Sequence, residues 1–134
     1  MSNPCDVLII GGGGAGLTAA LYASRAKLTT VLVEKLVPGG QIALTDVVEN
    51  YPGFPDGVTG GEISTRMAEQ AKRYGTDIVY ETVEAVSKIA ERQFEIKTAK
   101  TTYQAKSVIV ASGAFYRQLG APGEKELIGK GVSY

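Results

Sequence analysis

The stretch Val7-Leu8-Ile9-Ile10-Gly11-Gly12-Gly13-Gly14-Ala15-Gly16-Leu17-Thr18-Ala19-Ala20 decides the fold. An apolar run enters glycines, and the glycines enter a good helix. The phase Gly11-x-Gly13-x-x-Gly16 fits a dinucleotide fingerprint, in the strand–turn–helix context that the fingerprint requires. Gly11 lets the chain turn sharply off the strand, where a Cβ would clash. Gly13 lets the backbone approach a pyrophosphate, and Gly16 lets the helix pack closely on the strand. The first N–H groups of that helix, at the positive end of its dipole, face the phosphates.

A second apolar run, Thr30-Val31-Leu32-Val33, ends in Glu34, eighteen residues beyond Gly16. That is where the ribose-binding acid of a βαβ unit belongs. A carboxylate there accepts from ribose hydroxyls and repels a 2′-phosphate, so this turn should refuse NADP. The competing interpretations are a βαβ turn with no ligand and a P-loop, since Gly11-x4-Gly16 has the Walker spacing. The P-loop is disfavoured because Leu17-Thr18 follows and the phosphate-reaching lysine is missing.

Composition narrows the chemistry. The 134 residues suffice for one domain with a real core. Fourteen basic and fourteen acidic residues cancel, which gives no electrostatic case for nucleic acid or an anionic membrane. No apolar run reaches transmembrane length. Met1–Asp6 lacks the basic and long apolar segments of a signal peptide, so a cytoplasmic protein is expected. The sequence has no histidine, which removes histidine triads, metal sites and general acid–base catalysis. Cys5 is the only cysteine and reads as a packing residue; no internal disulfide can form. No side chain stands out as a catalytic group, and no metal site is expected.

In chain order, the pattern predicts a continuously buried strand over Asp6–Ile10, a helix over Ala15–Ala26 and a parallel strand over Thr30–Glu34. The long irregular stretch Leu36–Gly61 is expected to be ordered, pinned by Val47, Val48, Tyr51 and Phe54, and to supply amides over a dinucleotide. Thr59-Gly60-Gly61-Glu62 resembles a capping box. The helix after it puts Ile63, Met67, Ala71 and Tyr74 on one face and stops at Gly75. Ile78–Tyr80 is a third strand. From Thr82 to Ala105 a two-fold pattern predicts a three-stranded antiparallel meander through Val83–Ala85, Gln93–Lys97 and Thr101–Tyr103. Ser107–Ala111 reads as a separate, fully buried strand, with Gly113 beyond its carboxyl end near the ligand. The remainder carries turn chemistry.

Five motifs in the same order carry a resemblance: Gly11–Gly16; Pro38-Gly39-Gly40-Gln41; Val48-Glu49-Asn50-Tyr51-Pro52-Gly53; Ile109–Ala114; and Gly129-Lys130-Gly131-Val132-Ser133-Tyr134. Along its whole length the chain resembles the N-terminal FAD segment of low-molecular-weight thioredoxin reductases. The flavoprotein of alkyl hydroperoxide reductase and ferredoxin reductases of similar build share the Gly39-Gly40-Gln41 and Glu49-Asn50-Tyr51-Pro52-Gly53 signatures. The resemblance implies an α/β fold, an FAD/NAD(P)-binding, Rossmann-like parallel sheet with helices and an antiparallel β-meander. It implies that Gly11, Gly13, Gly14, Ala15 and Gly16 cradle the FAD pyrophosphate. Glu34 would hold the adenosine ribose, with Lys35 beside it. Gly40, Gln41, Thr45 and Asn50 would lie along the ribityl chain and flavin, the Val83 backbone would meet the adenine, and Gly113 would close over the FAD.

Complete enzymes of this family are homodimers that pass electrons from NADPH through FAD and a dithiol to thioredoxin. The family's dithiol follows a Gly-Val-Ser-x stretch, and the sequence stops at Tyr134, where that would begin. The NADPH domain and the C-terminal return segment are not in the sequence. The expectation is therefore an FAD-binding domain over 1–115 with a linker over 116–134, either a fragment of a reductase or a short relative that only binds flavin. Ser112 stands where the family usually has threonine. The rivals are a dinucleotide-binding module without redox turnover and an NAD-dependent enzyme. The Gly40-Gln41 and Glu49-Asn50 motifs argue against NAD.

Overall fold

The structure is a computed structural model describing residues 3–133. Met1 and Ser2 lie outside the described residues, as does Tyr134, the last residue of the Gly-Lys-Gly-Val-Ser-Tyr motif. Six strands form one mixed sheet: β1 (Asn3–Ile10), β2 (Thr30–Glu34), β3 (Asp77–Tyr80), β4 (Val83–Ala90), β5 (Gln93–Thr98) and β6 (Thr102–Val110), in the order β3-β2-β1-β6-β5-β4. The first four in that order run parallel; β5 is antiparallel to β6, and β4 antiparallel to β5. Two helices, α1 (Gly14–Arg25) and α2 (Gly60–Arg73), complete an α/β fold.

Alternation along the strands builds two cores. Val7, Ile9 and Leu32 point to one face, where Leu17 and Ala20 of α1 and Ala68 and Ala71 of α2 meet them. Leu8, Val31 and Val33 point to the other, with Ile96 of β5 and Tyr103 and Ala105 from the first half of β6. Parallel strands covered on both sides must be apolar throughout, which is why the Val7–Ile10 run shows no alternation. Leu8, Ile9, Leu17 and Leu32 are fully buried, each worth about 1.5–3 kcal/mol of apolar transfer.

The helix ends follow their local chemistry. The Thr59 hydroxyl accepts from the Glu62 N–H (3.2 Å), forming the cap expected of α2. Gly75, at φ +102°, ends it. The buried face is rotated from the one expected: Ile63 and Ala71 are buried, Met67 is half-buried, and Tyr74 is exposed. Ser64 and Ala68 take the inner positions instead, because the Ser64 hydroxyl donates to its own helix at the Gly60 carbonyl (2.7 Å) and needs no water. Tyr74 lies outside under the Arg25 guanidinium, 5.5 Å from its ring centroid.

Two expectations about the last strands are corrected. The two strands expected at Thr101–Tyr103 and Ser107–Ala111 are one continuous strand, β6 (Thr102–Val110), whose first half pairs with β5 and which pairs with β1 from Tyr103 to Val110. Nor is its second half fully buried: Ile109 is 39% exposed and Val110 71%. A strand is buried only where a layer covers it, and the meander covers Tyr103 and Ala105 but not the carboxyl end. The stretch 36–61 is held at one point by a short backbone pairing. Val48 and Val58 exchange two backbone hydrogen bonds (2.8 and 3.1 Å), whereas Val47 and Tyr51 are exposed.

Candidate cofactor site

The register aligns Ile10, Val33 and Val110, so β1, β2 and β6 end at one edge and deliver their loops together. Gly11, at φ +101°, leaves β1 there, and any Cβ on it would collide with the Ala111 carbonyl. A Cβ on Gly16 would collide with the Gly11 carbonyl oxygen. Both glycines are therefore demanded by packing. Gly13 is different: it is the N-cap of α1 in extended conformation, and a Cβ there would meet nothing within 4 Å. Glycine at Gly13 leaves space rather than avoiding a clash. The first turn of α1 has no side-chain cap and no acidic residue, so its N–H groups present positive potential to that space.

A second glycine pair closes the other side. The Gly39 N–H donates to the Gly12 carbonyl (2.7 Å), and Gly13 and Gly39 form a parallel bridge. Gly40, at φ +56°, approaches so closely that its Cβ would lie 3.4 Å from the Gly13 Cα. The Gln41 side-chain amide donates to the Ala114 carbonyl (2.7 Å), and the Tyr116 hydroxyl makes a longer contact with its oxygen (3.4 Å). This ties the 39–41 loop to the segment that carries Gly113 (φ +69°).

Glu34, half-buried at the end of β2, has a local role that sequence reasoning missed. Its Oε2 accepts from the Gly12 N–H (2.6 Å) and its Oε1 from the Leu36 N–H (2.9 Å). The carboxylate thus fixes the fingerprint turn and its own exit loop. Two carboxylate oxygens offer about four acceptor sites, so lone pairs are left over for a ligand hydroxyl. The Glu81 N–H donates to the Glu34 carbonyl (2.9 Å), which brings Val83, two residues on, toward the same edge.

The fold therefore brings Gly11–Gly16, Glu34, Gly40, Gln41 and Gly113 to one edge. Lys35, Thr45 and Asn50 are exposed on the loops around it, and Ala15 is exposed on the first turn of α1. Gly12 and Gly39, absent from the expected set, are as deeply involved; Gly12 makes its contacts through backbone atoms, which no pattern of side chains announces. Cys5 lies well away from this edge at the start of β1. Burial, with Asp6 next to it, pushes its thiol up to about 11, so it is no thiolate nucleophile at neutral pH. A groove away from this edge runs along α2, lined by Tyr51, Phe54, Ile63, Arg66 and Met67.

Residues 5–134 match the pyridine nucleotide-disulphide oxidoreductase family. The thioredoxin reductase of Bacillus subtilis is 48% identical over 130 residues, 96% of this chain and 40% of that protein. The thioredoxin reductase of Listeria innocua is 50% identical over the same shares. Among solved structures, thioredoxin reductase from Lactococcus lactis superposes with a TM-score of 0.85 at 41% identity, covering 92% of this chain and 40% of that one. A ferredoxin-flavin thioredoxin reductase from Clostridium acetobutylicum superposes at 0.77 with 30% identity, covering 100% and 46%. The chain spans about 40% of the length of the curated relatives it matches.

Proposed function

This chain belongs to the pyridine nucleotide-disulphide oxidoreductase family, and we propose that it is the FAD-binding part of a flavoprotein oxidoreductase resembling thioredoxin reductase. Residues 1–115 form the FAD-binding unit and 116–134 a linker toward an NADPH- and dithiol-bearing domain. The observation that carries this reading is the open, uncapped start of α1 at Gly13, closed on its other side by Gly39 and Gly40. That cradle suits a pyrophosphate: backbone N–H groups supply the donors, and no side chain competes for the space.

Gly11, Gly13, Gly14, Ala15 and Gly16 hold the pyrophosphate. Glu34 accepts from the adenosine ribose while keeping its bonds to Gly12 and Leu36, with Lys35 beside it. Gly40, Gln41, Thr45 and Asn50 follow the ribityl chain and ring, Val83 meets the adenine, and Gly113 closes over the group. The flavin, when bound, supplies the hydride and electron chemistry. The protein positions it and leaves the ring accessible through the exposed 41–50 loop. In the complete enzyme electrons pass from NADPH to FAD, then to a dithiol and a thioredoxin-like protein, in a cytoplasmic homodimer. The 134 residues contain one buried cysteine and one dinucleotide turn, so on their own they lack the second thiol that disulfide exchange requires.

Titration of the purified chain with FAD, followed by flavin fluorescence, tests this. Saturable binding that excess ADP displaces and NADP does not is the expected result. Equal competition by NADP, or no FAD binding, overturns it.

A further inference from the structure

β3 and β4 stand at opposite ends of the strand order, yet only Glu81 and Thr82 join them. Tyr80 pairs with Glu34 on one side and Val83 with Thr98 on the other. The three Cα steps from Tyr80 to Val83 reach about 11 Å at most. The sheet must therefore curl until its two edges nearly meet, which puts Ile96, Tyr103 and Ala105 in one core with Val31 and Val33. Among the described residues no backbone ladder joins β3 to β4 along this seam.

Glu81, half-buried, bridges the seam with both its backbone and its side chain. Its N–H donates to the Glu34 carbonyl (2.9 Å) on the parallel side. On the meander side its Oε2 accepts from the Thr98 hydroxyl and its Oε1 from the Tyr103 hydroxyl (3.3 Å), both residues being buried. The Thr98 oxygen already accepts from the Lys100 and Thr101 N–H groups (3.3 and 3.0 Å), so its proton goes to Glu81 or to the Thr101 carbonyl (2.9 Å). Burial and the Glu81 charge push the Tyr103 phenol up to about 12, so it stays a donor. The Lys100 ammonium adds a second tie, to the Tyr80 carbonyl (3.3 Å). Glu81 thus has partners on β2, β5 and β6, and hydrogen bonds to a charged acceptor are short and directional. They hold the crossover in one geometry.

The crossover starts at Glu34, the ribose acid, and ends at Val83. We propose that Glu81 is the positioning residue of the adenine end of the site, fixing the Val83 backbone so that it selects adenine over other nucleobases. This rests on the FAD reading above and deepens it by naming what sets nucleobase specificity. Adenine presents an acceptor at N1 and a donor at N6; hypoxanthine reverses both. Backbone groups held in place reject the reversed pattern, because one of them would be left unpaired. Released groups turn to suit either base.

The test is titration of the chain with ADP and with IDP by calorimetry, with circular dichroism as the check on folding. The unaltered chain is expected to prefer ADP by tenfold or more. Glu81→Ala should bind ADP about tenfold more weakly and bring the ratio of the two Kd values close to one. Glu81→Gln, which keeps one acceptor, should retain most of the preference. A general loosening of the fold would weaken both nucleotides alike and leave the ratio unchanged, and that result overturns the proposal. If Glu81→Ala does not fold, Tyr103→Phe and Thr98→Val keep the packing and each should lower the ratio. An unaltered chain that binds neither FAD nor ADP overturns the FAD reading together with this role. An unaltered chain that binds FAD but does not distinguish ADP from IDP, or whose preference survives the loss of Glu81 or of both hydroxyls, overturns the role alone.

Discussion

Glu34→Ala separates two roles that one carboxylate performs. In the folded chain it accepts from the Gly12 N–H at 2.6 Å and the Leu36 N–H at 2.9 Å, with no cofactor needed. Hydrogen bonds to a charged group contribute roughly 1.5–3 kcal/mol each; a half-buried carboxylate belongs at the lower end, so the pair is worth about 3 kcal/mol. For a domain of this size that corresponds to a fall of about 10 °C in Tm. Differential scanning fluorimetry on cofactor-stripped chain reads this directly. The second role, acceptance from the ribose, adds a loss of roughly 1–3 kcal/mol in FAD affinity, about 5–150-fold in Kd, measured by fluorescence titration below the variant's Tm. Glu34→Gln is the informative companion. It keeps one acceptor oxygen but sets an NH2 group against a backbone N–H, so it should lose nearly as much stability as the alanine variant. An unchanged Tm in both variants refutes the clamp. An unchanged FAD Kd removes Glu34 from the site.

The remaining predictions use other residues. Gly13→Ala should fold normally, because its Cβ meets nothing within 4 Å, yet bind FAD at least about tenfold more weakly because the methyl group occupies the cradle. Gly16→Ala should instead fail to give a stable fold, since its Cβ runs into the Gly11 carbonyl; circular dichroism melts of the two variants check the contrast. At alkaline pH, Cys5 and Tyr103 have folded-state values raised from 9.0 to about 11 and from 10.0 to about 12, both first by burial. Their contribution is therefore full below pH 9 and lost as pH rises through 11 and 12; Tm against pH should fall over that window, and Cys5→Ala should remove the earlier part of the fall. At the acid end, Lys106 and the Thr29 N–H hold the Asp6 carboxyl below its ordinary 3.8, so this exposed link between β1 and β6 is lost as pH falls through that lowered value, a step that Asp6→Asn should abolish. The FAD-loaded chain should show no NADPH-dependent reduction of a model disulfide in an anaerobic flavin-bleaching assay; catalytic turnover would refute the electron path proposed above.

What was legible in the sequence was local and periodic. The βαβ unit, the Thr59 cap of α2 and the stop at Gly75 all depend on residues within a few positions of one another, and they stand as expected. Contacts made by backbone atoms across long separations were not legible. Gly39 bonding Gly12, and Glu34 bonding Gly12, join positions 27 and 22 apart through amides that every residue possesses. Sequence offers glycine there as permission for close approach, without naming the partner.

The carboxyl end of β6 shows the same limit from the other direction. Val108-Ile109-Val110 has the composition of a strand covered on both faces, yet Val110 is 71% exposed, as are Phe115 at 95% and Leu119 at 83% just beyond it. Hydrophobic periodicity reports what a segment is suited to contact, and exposure reports which contacts the described residues supply. Here the two disagree along a run that adjoins the cofactor edge: Val110 pairs with Ile10, and the Ala111 N–H donates to the Ile10 carbonyl (2.8 Å) one residue before Gly11. Apolar surface concentrated beside a binding edge marks a place where further structure docks. In the proposed complete enzyme that structure is the return segment, which would cover β6 and close the site in one step. FAD affinity and the stability of β6 are then coupled. Replacing Val110 with threonine, which leaves the strand's backbone bonds intact, should scarcely change FAD binding by the 134-residue chain but should weaken it in a chain that carries the return segment. Equal FAD affinities in the longer chain with either residue would break the coupling.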